Sequence, residues 1–168
     1  MIKAILSIRD AIISWGIDVI FEVVVWVKKV CGGASAFPFG LDSLRTFPKG
    51  SLGHSVAAFL DAHHFTFIPN YETHDIRHVL YDYPMNLEGE VLMMAFQAGC
   101  KGGWKNVFVL IALTVSIPTM PERWTLLWRN YQRGASLKNI DIKPDFIALL
   151  PLPLHEARAQ IGLEFAFF

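Results

Sequence analysis

The sequence predicts an all-α protein: a single-domain helical bundle over residues 1–168 with a metal site on a helical hairpin. Three observations carry that expectation. Apolar residues recur at three- and four-residue spacing in segments separated by Gly and Pro. Few stretches alternate with period two between turn signals. A length of 168 residues suits one domain with a real core.

Residues 1–30 predict a long apolar helix. Ile12, Ile13, Ile17, Ile20, Val23, Val24, Val25 and Trp26 supply its hydrophobic surface, and Ser7, Asp10, Ser14, Asp18 and Glu22 form a narrow polar stripe. Arg9, Asp10, Asp18, Glu22, Lys28 and Lys29 interrupt the apolar run. Its longest uncharged stretch, Ala11 to Ile17, is far short of the roughly twenty residues a span requires. The acidic interruptions also argue against a signal peptide. The stripe suits a core or dimer helix, with a helix lying on a bilayer as the alternative.

Cys31 to Gly50 reads as a loop, being rich in Gly and Pro. A helix over Ser51–His63 places Val56, Phe59 and Leu60 on one face, and Phe65–Asn70 is a connector. Thr73 can cap a helix that runs to about Asp82, where Pro84 stops it. Asn86 can cap the next, which runs to about Ala98 and ends at Gly99. Further helices are expected at Trp104–Ile117, Pro121–Arg133 and His155–Ile161. The uncharged run Val107–Ile117 is too short to span a membrane.

Composition excludes several functions. Lys plus Arg is 15 and Asp plus Glu is 15, so the chain has no net charge with which to hold a nucleic acid. Apolar residues make up 53% and charged residues 18%, which points to an oligomer, a lipid ligand or a membrane face. Cys31 and Cys100 form neither a disulfide framework nor a Cys-x-x-Cys zinc site. Neither Gly-x-Gly-x-x-Gly nor a P-loop is present, so a bound dinucleotide is not expected.

The segment Thr73-His74-Asp75-Ile76-Arg77-His78, with Glu90 after it, carries the chemistry. His74 and His78 are four apart, so a helix stacks them. Asp75 lies about 100° from His74 around the wheel and Asp82 about 80°, which puts two imidazoles and up to two carboxylates in one quadrant. Ile76, Val79 and Leu80 are left to face the core. A turn centred between Pro84 and Met85 brings His78 and Glu90 to nearly the same height on antiparallel helices, and Gly89 leaves space at the crossing. Imidazole and carboxylate in this ratio suit zinc, with iron or manganese as alternatives, and match open catalytic sites. Asp75 or Glu90 could also move protons. Without metal, the same residues would be a hydrogen-bonded polar helix pair.

His74-Asp75-x-x-His78, eleven residues and Glu90 resemble the signature of the coenzyme Q (ubiquinone) biosynthesis protein 4 family. Gly50-Ser51-Leu52-Gly53, Glu72-Thr73, Pro84-x-Asn86-x-x-Gly89-Glu90, Ala95-Phe96, Trp128-Arg129 with Arg133-Gly134, and Leu149 to Gly162 with Arg158 resemble its flanking segments. The likeness covers roughly residues 50–163. Residues 1–30 and Lys143-Pro144-Asp145-Phe146 depart from it.

The resemblance implies an all-α metal protein whose ligands are His74, Asp75, His78 and Glu90. It implies ubiquinone biosynthesis by oxidative decarboxylation of a polyprenylated hydroxybenzoate, with hydroxylation at the same carbon. The protein would act peripherally on the inner face of a membrane, on the cytoplasmic side in bacteria or at the inner mitochondrial membrane. A homo-oligomer and other quinone-biosynthesis enzymes are the implied partners. A competing reading is a non-catalytic scaffold that binds the isoprenoid precursor, with a structural metal. A third, a phosphohydrolase, would need His54 and Asp141 or Asp145 as further ligands. Arg129 and Arg133 read as a solvated helix face, and Trp124, Leu127, Trp128 and Tyr131 as core.

Overall fold

Ser51 begins the first long helix by a local mechanism: its extended backbone lets the hydroxyl accept the His54 N–H at 3.2 Å. The computed structural model describes residues 26, 37–101, 124–137 and 140–163. They comprise seven helices and no strand: α1 (Leu41–Arg45), α2 (Leu52–Ala62), α3 (Glu72–Tyr81), α4 (Leu87–Lys101), α5 (Trp124–Ser136), α6 (Phe146–Leu149) and α7 (Leu154–Gln160). The all-α expectation is borne out. Residues 1–25, 27–36 and the expected helix Trp104–Ile117 lie outside the described residues, as do Cys31 and the first three residues of the expected helix Pro121–Arg133.

The chain forms two compact units, Met1–Pro38 with Ile68–Glu72, and Phe39–Phe67 with Thr73–Phe168. In the first, the described connector turns through a left-handed Asn70, with the Tyr71 N–H on the Ile68 carbonyl and the Asn70 N–H on the Glu72 carboxylate.

The second unit holds the core. Val56, Leu60, Ile76, Leu80 and Phe96 are fully buried, and Val79 nearly so, as the helical periodicity predicts. Asn86 caps α4 as expected, its side-chain oxygen accepting the Gly89 N–H at 2.9 Å. The stretch read as loop carries one helical turn, α1, held by the buried Leu44 and by Arg45, which pairs with Asp61 at 2.6 Å. Asp145 starts a second unexpected turn, α6, by accepting the Ile147 and Ala148 N–H groups.

Gly99 does not end its helix. It lies inside α4 where the backbone of α5 crosses: a methyl at Gly99 would strike the Tyr131 carbonyl, and one at Gly134 the Phe96 carbonyl. α4 accordingly packs most extensively on α5. Of the aromatic run expected in the core, Leu127 is buried, but Trp124 and Trp128 are half exposed.

The C-terminal segment closes back on α2. Leu150 and Leu152 carbonyls accept the Gly53 and Leu52 N–H groups at 2.8 Å, and the Gly50 carbonyl accepts the Leu154 N–H at 2.9 Å. These bonds satisfy N–H groups that a helix start leaves without partners. They also place α7, and with it Arg158, against the end of α3.

Candidate metal centre

α3 and α4 are joined by a turn through Tyr83–Asn86, and Gly89 makes that turn possible. A methyl at Gly89 would collide with the Pro84 carbonyl, so only Gly lets α4 start this close to the turn. The hairpin brings Glu90 opposite the two histidines. His74 Nε2 lies 3.0 Å from Glu90 Oε2, and His78 Nε2 lies 3.0 Å from Glu90 Oε1. The imidazole centroids are 4.8 Å apart. One ligand atom from each of His74, His78 and Glu90 falls within 4.8 Å of the others. Tetrahedral zinc with 2.0–2.1 Å bonds spaces its ligand atoms roughly 3.3 Å apart, so this spacing is compatible with one shared ion.

Asp75 takes a different place. It is buried, and its Oδ1 lies 3.5 Å from His74 Nδ1, on the side of the ring away from Glu90. Asp82 has left the helix: it adopts a left-handed conformation (φ 63°), and its largely exposed carboxylate faces Arg158 at 3.6 Å. The wheel assumed one more helical residue than α3 contains.

The electrostatics follow from burial and charge. Burial would push the Glu90 carboxyl up, but hydrogen bonds from His74 and His78 outweigh it and bring the pKa down to about 2. Burial would lower the His74 pKa, but the carboxylates of Asp75 and Glu90 outweigh it and raise it. His78 is fully buried, and its Nδ1 meets the Tyr83 carbonyl at 3.2 Å. A carbonyl only accepts, so Nδ1 carries a proton and donates it to Tyr83, leaving Nε2 to face Glu90. Across the 3.0 Å to Glu90 Oε1, Nε2 either donates a proton, as in the hydrogen bond that lowers the Glu90 pKa, or, with that proton lost, turns a lone pair toward a metal ion. The donor set therefore fits a divalent metal. Three such ligands would leave a position open on an ion held there, as catalytic sites do.

Sequence reasoning missed how the end of α3 is held. The last four carbonyls of a helix have no partner within it. Here His78 O accepts the Tyr83 N–H at 2.9 Å. Val79 O and Leu80 O accept from Arg158 at 3.0 Å each. Tyr81 O accepts from Arg133 at 3.3 Å. Arg133 is thus no solvated side chain; it lies over the Tyr83 and Phe96 rings, at 5.5 and 5.0 Å from their centroids. Arg129 is exposed, as expected.

An open groove of about 370 Å³ adjoins the centre, with His78, Phe59, Val79, Pro84, Leu154 and Arg158 among its lining. Phe59 stacks parallel to His78 at 6.3 Å. His54 and Asp141 do not join the cluster; the described metal-ligating group is His74, His78 and Glu90. No helix among the described residues is long and apolar enough to cross a membrane.

No family model and no curated protein matches the chain. Among solved structures it is similar to a protein from Nostoc punctiforme named for ubiquinone biosynthesis, with a TM-score of 0.60 and 24% identity. The match covers 83% of this chain and 74% of that one, and the likeness shows the fold.

Proposed function

We propose that this protein acts in ubiquinone biosynthesis, removing the ring carboxylate of a polyprenylated hydroxybenzoate with a divalent metal, zinc, held by His74, His78 and Glu90. The observation that carries the reading is the convergence of two imidazoles and one carboxylate on a single point beside an apolar-walled groove. The His74-Asp75-x-x-His78…Glu90 spacing and the name of the Nostoc punctiforme protein support the pathway.

When bound, the metal supplies a positive centre that withdraws charge from the ring's oxygen substituents. The chain does the rest. His78 and His74 present neutral nitrogens, and Glu90 supplies the negative charge that a divalent ion requires. Phe59, Val79, Pro84 and Leu154 give an aromatic ring or isoprenoid an apolar wall, with Ser55, Asp82 and Arg158 as its polar members. The bond between ring carbon and carboxylate breaks, carbon dioxide leaves, and the electron pair left on the ring carbon takes up a proton; this is the non-oxidative form of the reaction, and the hydroxylation that the resemblance implies at that carbon is no part of the step proposed. With Glu90 tied to the ion, Asp75 is the carboxylate available to move that proton. An isoprenoid substrate resides in bilayers, so the work is done at a membrane surface, by a self-associated protein alongside other quinone-biosynthesis enzymes.

Metal analysis of the purified protein, mass spectrometry of its extracted lipid and an assay with prenylated hydroxybenzoate test this together. Stoichiometric zinc, a bound prenyl aromatic and release of carbon dioxide are expected. A metal-free protein would overturn the reading. Bound metal and lipid with no carbon dioxide released would make the protein a scaffold instead.

A further inference from the structure

His78 is held at both ends of one short loop. Its backbone carbonyl accepts the Tyr83 N–H at 2.9 Å, and its ring Nδ1 donates to the Tyr83 carbonyl at 3.2 Å. Left-handed Asp82 turns the chain between these two bonds. The position of the Tyr83 backbone therefore decides where the His78 ring points. That backbone is fixed from a different helix. The Tyr83 hydroxyl donates to Asn130 Oδ1 at 2.7 Å and accepts from Arg133 Nη1 at 3.2 Å, both on α5. The Tyr83 side chain is buried, and its ring packs on Phe96 at 6.0 Å. The same Arg133 holds the Tyr81 carbonyl at 3.3 Å, so α5 grips the loop on both sides of Asp82.

We propose that Tyr83 is a positioning residue for the metal centre: Asn130 and Arg133 anchor its side chain, and its backbone carbonyl fixes the tautomer and direction of the His78 ring. The inference rests on the metal reading above. It goes beyond it by assigning a role to three residues that ligate nothing. Outer partners of a metal-bound imidazole typically govern affinity by roughly 10–100-fold. Tyr83→Phe keeps the ring and the carbonyl and removes only the anchoring hydroxyl. It lowers Co(II) affinity about ten-fold, at the low end of that range.

The test titrates full-length wild type, Tyr83→Phe, Asn130→Ala and Tyr131→Phe with Co(II), following the visible spectrum. In the zinc-loaded proteins, NMR follows exchange of the His78 Nδ1 proton with solvent. Tyr131 is on α5 but stacks on Trp128, at 5.3 Å, so its variant serves as control. Tyr83→Phe and Asn130→Ala should bind Co(II) more weakly, shift its spectrum and speed Nδ1 exchange, while Tyr131→Phe matches wild type. A merely structural role would lower the melting temperature and leave spectrum and exchange unchanged. If Tyr83→Phe does not fold, Asn130→Ala decides alone. A folded variant with wild-type affinity, spectrum and exchange overturns the inference while leaving the metal reading in place. Wild type that takes up no Co(II) overturns both.

Discussion

Glu90 bridges two imidazoles with one carboxylate, and its replacement separates ligand from bystander. Glu90→Gln keeps the size and one carbonyl oxygen but loses the charge. Its affinity for zinc should fall by more than the roughly 10–100-fold that loss of an outer partner costs. Glu88→Gln, two residues and about 160° away on the same helix, should bind as wild type does. Calorimetric titration of both variants checks this. The metal-free protein should also register Glu90 in its pH dependence. The folded carboxyl, at about 2 against an ordinary 4.5, binds a proton less readily than the unfolded one. Ionised Glu90 thus stabilises the fold above about pH 4.5, and that contribution is lost as pH falls toward 2. Thermal melts across this window should fall more steeply for wild type than for Glu90→Gln. At this scale the sequence was informative. The i, i+4 histidines and the register of the hairpin indicated His74, His78 and Glu90, because ligands must be particular side chains. Tyr83 stayed invisible because it reaches His78 through a carbonyl that every residue has.

Glycine marks the helix pair in two ways that composition alone does not distinguish. Gly99 reads as a stop signal, yet α4 runs through it to Lys101 because α5 occupies the space of its missing side chain. Gly134 is its counterpart. Adding a methyl at either site forces the two backbones apart. Gly99→Ala and Gly134→Ala should each destabilise by about 3 kcal/mol, the upper end of ordinary overpacking. Urea unfolding measures it. A change of a few tenths at both sites would mean that the helices part without cost. The long helices were legible because several apolar positions repeat. α1 and α6, at a single turn each, offer no repeat to count.

Across the molecule, Arg158 joins the C-terminal helix to the helix that bears both histidines. Its two bonds reach carbonyls 78 and 79 residues back in the chain. Arg158→Ala strips partners from two carbonyls and should cost about 2–6 kcal/mol, at 1–3 kcal/mol for each group left unsatisfied. Arg158→Lys, with one point charge in place of a planar fork, should recover only part of it. Melting of the two variants against wild type tests the order. No sequence pattern announces such a contact, since the partner is backbone and the separation long.

That long reach has a consequence in time. On the ribosome, the end of α3 is synthesised 77 residues before Arg158 is added. At about 5–20 residues per second that is a wait of roughly 4–15 s. Throughout it, two carbonyls of the ligand-bearing helix await their guanidinium, and the strap of residues 150–154 over Gly50–Gly53 has not been made. Maturation of the centre is therefore timed by α7, which is translated well after His74, His78 and Glu90. Nascent chains arrested before α7 should hold metal poorly even though every ligand has already left the tunnel.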